Sequence, residues 1–177
     1  MFLSLKQIAK ERNGFYVNQF HNPSAVSAHY HTTGPEIWND LKEVKVFMAS
    51  VGTGGTFIGT SRYLKSQNKK IRCIVVEPEN AAILKTGKVI DPKHIIQGTG
   101  YGVVPPQWDP DLADEFITVT DEEVNEMTRR ISLEQGLYVG YSSGANVAAA
   151  LKYLKSSNSK INIVTILCDT AYKYSDL

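Results

Sequence analysis

The sequence predicts an α/β protein with a doubly wound, mostly parallel sheet and helices on both faces of that sheet. Short apolar segments rich in β-branched residues alternate with segments of helical periodicity along the chain. One complete strand–helix–strand unit surrounds a glycine-rich turn and is closed by Pro78. Because such units make right-handed crossovers between parallel strands, this alternation predicts a parallel sheet.

The first part of the chain contains a short helix, a strand and a broken helical region. The helix is expected to end near Asn13 and Gly14, because glycine suits a left-handed helix end, and a strand follows at residues 15–17. Pro23 interrupts the pattern. A helix is then predicted over residues 25–41, with a break near Gly34 and Pro35, since this pair favours a turn and a new helix start.

Five further strands and three further helices are predicted after that region. The strands are expected at residues 44–49, 71–77, 116–119 and 137–141, and a last one, buried on both faces, at 161–167. Helices are expected from 56 to 67, from the capping box at Thr120 to Gly136, and from 143 to 154. Residues 80–114 contain many turn formers and predict a long surface excursion of the kind that often carries function.

Composition narrows the class of protein. The 177 residues are 42% hydrophobic and 21% charged, with a formal net charge of +1, so neither nucleic acid nor a membrane surface is expected as a partner. The longest apolar runs fall short of the roughly 18–20 residues of a membrane span, and we expect a cytoplasmic protein. Cys73 and Cys168 are predicted to be buried thiols, and the four histidines form no metal motif.

A glycine-rich loop lies between the strand at 44–49 and the helix that follows it. Three glycines and two threonines stand together there: Gly52, Thr53, Gly54, Gly55 and Thr56. Glycines let the backbone wrap closely around an anion, and the helix after the loop directs its first N–H groups and the positive end of its dipole to the same spot. The loop is therefore a candidate phosphate cradle; the alternative is a tight turn that binds nothing.

Two nucleotide-binding motifs can be compared with this loop. A Walker A loop needs a lysine after its last glycine, and Gly55 is followed by Thr56 and Phe57, so this motif is excluded. A dinucleotide fingerprint needs a third glycine where Phe57 stands. Glu77, at the end of the next strand, can imitate the ribose-binding acid of that fingerprint, so a nucleotide-binding domain stays a weaker alternative.

A second glycine-containing motif stands at a later strand-to-helix junction. It reads Gly140-Tyr141-Ser142-Ser143-Gly144. Ligands bind at the carboxyl ends of the strands in doubly wound sheets, so this motif can share a crevice with the first loop. Taken alone, its two serines are more typical of helix caps.

Five segments stand in order along the chain: Asn18-Gln19-Phe20-x-Asn22-Pro23, His29-Tyr30-x-Thr32-Thr33-Gly34-Pro35-Glu36-Ile37-Trp38, the loop at 50–56, Gln97-Gly98-x-Gly100 and the motif at 140–144. Taken together, they resemble the cysteine synthase (O-acetylserine sulfhydrylase) and cystathionine β-synthase family of fold type II pyridoxal-phosphate (PLP) enzymes. The resemblance runs in order from about residue 5 to Tyr174. The segments Gly34 to Trp38 and Tyr101 to Pro105 are closer to cysteine synthases than to animal cystathionine synthases.

The resemblance implies specific roles. Gly52, Thr53, Gly54, Gly55 and Thr56 would hold the phosphate of PLP, and the Ser142 hydroxyl would meet the pyridine nitrogen. A neutral serine there moderates the electron-sink strength of the ring, which suits β-elimination. Gln19 would lie near the carboxylate of the amino-acid substrate, and Gly98 in a loop that closes beside the ring. Alternatives are that Gln19 only satisfies backbone groups and that Gly98 only turns the chain.

Two departures from the family pattern stand out. The family's Pro-Asp-Ser-Gly motif is replaced by Cys168-Asp169-Thr170-Ala171, which puts a turn that needs glycine in doubt at Ala171. The lysine that carries the cofactor, and the loop that clamps the substrate carboxylate, belong to a region on the amino-terminal side of everything present here. None of the 14 lysines has the Ser-x-Lys-x-Arg surroundings that the family shows.

The resemblance therefore implies the carboxy-terminal portion of a cysteine synthase. Residues 1–22 are expected to be a remnant of a smaller amino-terminal domain, and residues 23–177 to form the PLP-phosphate-binding domain. In the complete enzyme, sulfide replaces the acetate of O-acetylserine; this chain alone is expected to be inactive. The implied partners are a separately encoded amino-terminal half, a second copy in a homodimer, and serine acetyltransferase. A non-catalytic PLP-binding or regulatory module is the alternative.

Overall fold

A four-stranded parallel sheet forms the centre of the protein in the computed structural model. The structure describes residues 2–157 and 160–174. Its strands are β1 (Val46–Ser50), β2 (Arg72–Pro78), β3 (Glu115–Val119) and β4 (Ile163–Thr165). The spatial order is β3-β2-β1-β4, and each neighbouring pair is parallel. This confirms the predicted α/β class and the parallel sheet.

The helices of the described chain are α1 (Phe2–Glu11), α2 (Ser24–His31), α3 (Thr33–Asp40), α4 (Gly55–Gln67), α5 (Ile83–Thr86), α6 (Asp121–Gln135) and α7 (Tyr141–Ser157). Of these, α2 and α4 contribute to the core on one face of the sheet, and α6 and α7 on the other. Short 3₁₀ turns span Glu79–Ala81, Pro110–Leu112 and Ala171–Lys173. In the described part of the chain, no helix is both long and apolar enough to cross a membrane.

Two apolar clusters, one on each face of the sheet, form the core. Alternate side chains of β1 enter different clusters, because successive residues of a strand point to opposite faces. Val46 and Met48 pack with residues of α6 and α7, whereas Phe47 and Ala49 pack with residues of α2 and α4. Both faces of the central strands are therefore buried, as expected of a parallel sheet.

Gly59 allows helices α2 and α4 to pack closely on one face of the sheet. A Cβ on Gly59 of α4 would collide with the backbone oxygen of Val26 and would lie 2.8 Å from the Cβ of His29, both in α2. Only a residue without a side chain lets these helices approach so closely. The position of α2 matters for function because His29 reaches the glycine loop.

Several predicted helix boundaries are confirmed. The helical region at 25–41 is divided at Thr32 into α2 and α3, close to the predicted break. The Thr120 side chain accepts the N–H of Glu123, whose carboxylate accepts the N–H of Thr120, and the helix ends at Gly136 in the left-handed conformation. Residues 80–114 form the predicted excursion, with only short helical turns.

Three predicted strands differ from the structure. Residues 15–17 form no strand with any described part of the chain. The strand expected at 137–141 is reduced to an isolated antiparallel bridge between Val139 and Thr170, and Tyr141 already begins α7. β4 is shorter than predicted and only partly buried, because it lies at the edge of the sheet.

Candidate functional site

The site lies where the strand order reverses. The chain runs from β1 outward to β2 and β3, but β4 is added on the other side of β1. In open parallel sheets, a crevice forms at such a switch point, outside the carboxyl ends of the two strands. The glycine loop follows β1, and Cys168 and Asp169 follow β4. The fold thus brings both segments to one end of the sheet.

The glycine loop has the backbone geometry of an anion-binding turn. Gly54 precedes α4 with φ of 97°, a left-handed conformation that favours glycine, and no side chain caps the helix. A Cβ on Gly52 would collide with the backbone oxygen of Gly98, so the two predicted site residues are in close contact. The 13-residue helix α4 therefore presents its amino terminus without a protein cap at this loop.

A histidine bridges the loop and α2. Nε2 of His29 lies 3.1 Å from the hydroxyl of Thr56, and its Nδ1 lies 2.9 Å from the hydroxyl of Thr33. Burial lowers the pKa of His29 below its ordinary value, so the ring is neutral near pH 7. A neutral ring can donate through one nitrogen and accept through the other, and this holds Thr56 against α2. The contact of His29 with the loop was not predicted from the sequence.

A buried asparagine joins the ends of both strands. Oδ1 of Asn146, in α7, accepts the N–H of Ser50 at 2.8 Å, and its Nδ2 donates to the backbone oxygen of Ile166 at 2.8 Å. Ser50 ends β1 and Ile166 follows β4, so one side chain fixes the separation of the two segments. Sequence reasoning missed this residue, although an asparagine among four alanines on a buried helix face is a usable signal.

The second motif begins α7 at the same end of the sheet. Ser142 and Ser143 are both buried in its first turn. The hydroxyl of Ser143 accepts the N–H of Cys168 at 2.9 Å, so this serine ties α7 to the segment after β4. Gly144 serves packing, because a Cβ there would collide with the hydroxyl of Thr128 in α6. Among the side chains of this motif, Ser142 is the one whose structural role is not explained by a contact within the described chain.

The segment after β4 has alanine at position 171, where the family motif has glycine, and its backbone does not require glycine there. Ala171 is buried at the start of a 3₁₀ turn, and its φ is not positive, so the doubt about its backbone is removed. Asp169 accepts a hydrogen bond from the hydroxyl of Tyr174 through Oδ2 at 3.1 Å, while its Oδ1 is buried and has no hydrogen-bond partner among the described residues. Cys168 is exposed, contrary to the prediction for this thiol, whereas Cys73 is buried and burial raises its pKa to about 11.

The two remaining predicted site residues, Gly98 and Gln19, lie at the surface. Gly98 has φ of 83° in the excursion after β2 and touches the glycine loop. Gln19 is exposed in the turn that precedes α2, and no hydrogen bond in the described chain joins it to residues 52–56.

Glu77, the residue that suggested a nucleotide site, has a structural role. The carboxylate of Glu77 is buried and accepts the backbone N–H groups of Leu84 and Lys85 at 2.8 and 2.9 Å. Burial nonetheless raises the pKa of Glu77 above its ordinary value. Both carboxylate oxygens are thus engaged at the start of α5, which argues against the ribose-binding role and hence against the dinucleotide alternative.

A doubly wound sheet with an uncapped, glycine-lined helix terminus at its switch point is an arrangement that can accommodate a phosphate group. The family model "Pyridoxal-phosphate dependent enzyme" matches residues 2–169. The chain belongs to this family, in agreement with the resemblance found in the sequence.

Within the family, the chain is similar to particular cysteine synthases and related enzymes. The chain is 42% identical over 166 residues to cysteine synthase A of Escherichia coli (strain K12), a match covering 89% of this chain and 51% of the relative. A solved O-acetylserine dependent cystathionine beta-synthase from Helicobacter pylori has a TM-score of 0.87 and 40% identity, over 97% of this chain and 56% of that chain.

A hydrogen sulfide-producing enzyme from Fusobacterium nucleatum has a TM-score of 0.90 and 35% identity, over 98% of this chain and 59% of that chain. The fold of this chain is therefore that of fold type II PLP enzymes. The chain spans about half the length of the curated relatives it matches.

Proposed function

We propose that this chain is the cofactor-phosphate-binding portion of a cysteine synthase-type enzyme and that it binds PLP through residues 52–56. The observation that carries the proposal is the uncapped amino terminus of α4 behind Gly54, in a loop whose Gly52 packs against Gly98. A phosphate dianion there satisfies the free N–H groups and interacts favourably with the helix dipole. Because glycines line the helix end, they place no side chain between the anion and the backbone N–H groups that bind it.

The residues of the crevice fit this cofactor. PLP supplies an electron sink for bonds at the α-carbon of an amino acid. Ser142 stands in the first turn of α7 with a hydroxyl that can meet the pyridine nitrogen without fixing a charge on it. His29 orients the hydroxyl of Thr56, and Asn146 holds the two loops at a fixed distance. Gln19 and Gly98 would contact the substrate carboxylate and the ring edge.

In the complete protein, the reaction would be the replacement of the acetate of O-acetylserine by sulfide. The family's lysine forms the covalent link to the cofactor and moves the proton of the substrate's α-carbon. No lysine of this chain stands in the family's motif, so the chain alone would bind the cofactor without catalysis. A second copy of this chain, an amino-terminal half and serine acetyltransferase remain the proposed partners, in the cytoplasm.

The experiment is a set of binding titrations with PLP, with pyridoxal that lacks the phosphate, and with inorganic phosphate. We expect PLP to bind, phosphate to compete with it, and pyridoxal to bind at least tenfold more weakly, a difference of about 1.4 kcal/mol. Gly54→Val should abolish the phosphate-dependent part. Ser142→Ala should weaken PLP binding but leave phosphate binding unchanged.

Gly87→Val is the matched control for Gly54→Val. Gly87 also has a positive φ, of 71°, but a Cβ there meets nothing within 4 Å, so the substitution adds backbone strain away from the loop. If both valine variants bind PLP as the unmodified chain does, the cradle is refuted. Equal affinity for PLP and pyridoxal would exclude a phosphate site as well.

A further inference from the structure

A carboxylate lies against the start of α7, at the end of the sheet where the crevice forms. Asp169 follows β4, and its side chain is only 19% exposed. A Cβ on Gly140 would collide with Oδ1 of Asp169, so this oxygen lies directly against the backbone of Gly140. The backbone oxygen of Gly140 in turn accepts the N–H groups of Ser143 and Gly144, at 3.0 and 3.2 Å. The carboxylate therefore stands at the amino terminus of the helix that carries Ser142 in its first turn.

Contacts on both sides fix the position of this carboxylate. The N–H of Gly140 donates to the backbone oxygen of Asp169 at 3.0 Å, beside the isolated bridge between Val139 and Thr170. Oδ2 of Asp169 accepts the hydroxyl of Tyr174 at 3.1 Å. Burial, and after it this hydrogen bond, raises the pKa of Tyr174 to about 12, so the phenol stays protonated near neutral pH and keeps donating. The negative charge is thus held against α7.

Little in the described chain neutralises that charge. Oδ1 of Asp169 is buried without a hydrogen-bond partner among the described residues. Nζ of Lys173 lies 3.7 Å from Oδ2, but this lysine side chain is 65% exposed, and exposed charges are screened by water. The other titratable neighbours are the phenols of Tyr141 and Tyr174 and the thiol of Cys168. Burial, and after it the charge of Asp169, raises the pKa of that thiol, so the charge acts on the neighbouring groups.

The amino terminus of α7 and this carboxylate have opposite effects on a ligand atom near Ser142. Negative charge at a helix amino terminus interacts favourably with the helix dipole, and this alone would make Asp169 a stabilising residue. The dipole also disfavours positive charge on a ligand placed there, whereas the carboxylate favours it. Ser142 follows Gly140 by two residues, so their Cα atoms are at most about 7.6 Å apart. Both fields therefore reach a ring nitrogen held at Ser142.

We propose that Asp169 sets the protonation state of the cofactor's pyridine nitrogen through its charge, without touching the ring. The inference rests on the proposed function, because it takes the ring nitrogen to lie at Ser142. The serine hydroxyl can donate or accept, so it does not by itself decide whether the nitrogen carries a proton. A unit charge about 8 Å away, at an effective dielectric constant of about 20, changes a pKa by roughly 1.5. Screening by water and by Lys173 reduces this to about 0.5–1.

The experiment uses the whole chain and 4-deoxypyridoxine 5′-phosphate, a PLP analogue with a methyl group in place of the aldehyde. The analogue forms no covalent link to any lysine, so catalysis does not enter the measurement. Ultraviolet absorbance of its hydroxypyridine ring between about pH 5.5 and pH 9.5 reports the pKa of the bound ring nitrogen. In Asp169→Asn this pKa should fall by about 0.5–1. Lys173→Gln, which removes the positive charge beside Oδ2, should raise it.

Asp111→Asn is the matched control, since it removes the same charge from an exposed aspartate of the 3₁₀ turn Pro110–Leu112. It should leave the ring pKa unchanged, and the phosphate charge of the analogue is the same in every variant. One ring pKa shared by the unmodified chain, Asp169→Asn and Lys173→Gln overturns the proposal, even if Asp169→Asn unfolds more easily, because only the stabilising role then remains.

Lys173→Gln decides the matter if Asp169→Asn does not fold, and an unchanged or lowered ring pKa in Lys173→Gln then refutes the proposal. The two levels of the account fail in different ways. Absence of saturable analogue binding by the unmodified chain refutes the cofactor cradle and this inference with it. Saturable binding with a ring pKa that does not respond to either variant refutes the inference alone.

Discussion

The backbone N–H of Ser50 donates to Oδ1 of Asn146 at 2.8 Å, across 96 positions of the sequence. This bond joins the end of β1, where the glycine loop begins, to the helix that carries Ser142. The second hydrogen bond of Asn146, to the backbone oxygen of Ile166, fixes the end of β4 to the same side chain. The crevice is therefore held open by one buried amide.

Asn146→Leu should destabilise the protein by about 2–4 kcal/mol. The variant keeps a similar volume but leaves the N–H of Ser50 without a partner and the oxygen of Ile166 with only the weak donor of the Cys168 thiol, 3.8 Å away. An unsatisfied buried group costs about 1–3 kcal/mol. Unfolding by urea measures the loss. Asn125→Leu, at an exposed position of α6, is the control and should change stability by less than about 0.5 kcal/mol. A loss in Asn146→Leu no larger than in the control would contradict this role.

Gly144→Ala should destabilise the contact between α6 and α7. Its Cβ would collide with the hydroxyl of Thr128 and lie 2.9 Å from the backbone oxygen of Val124. Overpacking of this kind costs about 1–3 kcal/mol. The double variant with Thr128→Ala should recover part of the loss, because only the backbone contact then remains. Thermal unfolding of the single and double variants forms a mutant cycle, and strict additivity would show that the two positions are not coupled.

His29 should make the protein less stable as the pH falls. Burial lowers the pKa of His29 below 6.5 in the folded state, so the unfolded chain binds a proton more readily. The free energy of unfolding therefore falls as the pH decreases through about 6.5 toward the lowered folded pKa. In His29→Gln this part of the pH dependence should disappear. Denaturant unfolding between about pH 8 and pH 5 measures it.

His31→Gln is the control for the histidine prediction, because His31 is exposed on the same helix. It should leave the pH profile of the unfolding free energy close to that of the unmodified chain. If His29→Gln and His31→Gln give the same profile, His29 is not the group responsible.

The isolated chain should not convert O-acetylserine and sulfide to cysteine at an enzymatic rate. Acid–base catalysis by a positioned group alone contributes about 10²–10⁴-fold, and covalent attachment and proton transfer by one lysine act as a unit. Escherichia coli cysteine synthase A is assayed beside it, and mass spectrometry checks that no host enzyme is present. Turnover comparable to that of the reference enzyme would mean that one of the 14 lysines has been recruited.

Much of the fold follows from local pattern. The glycine loop, the capping box at Thr120 and the buried runs at β1 and β2 are decided by neighbouring residues, and these predictions are confirmed. The predicted strand at 137–141 is wrong because α7 begins at Tyr141, and a bridge between Val139 and Thr170 replaces the strand. Pairing across a sheet depends on distant residues, and residues 15–17 pair with no strand of the described chain.

The candidate site shows the same division. Glycines that need positive φ at Gly54 and Gly98 can be found in the sequence, because few other residues tolerate that backbone. The tasks of Asn146 and His29 depend on contacts between helices and strands far apart in the chain, and no local pattern encodes them. The division of the chain at residue 22 stays a prediction.

The most direct test of the account is treatment of the chain with PLP and then borohydride, with intact-mass and peptide analysis beside a binding titration. Borohydride converts a cofactor–lysine link into a stable adduct, so it reports covalent attachment separately from phosphate binding. The account predicts saturable binding that inorganic phosphate competes away, with no stoichiometric adduct at any one lysine. A stoichiometric adduct at a single lysine, or no saturable binding of PLP at all, would contradict it.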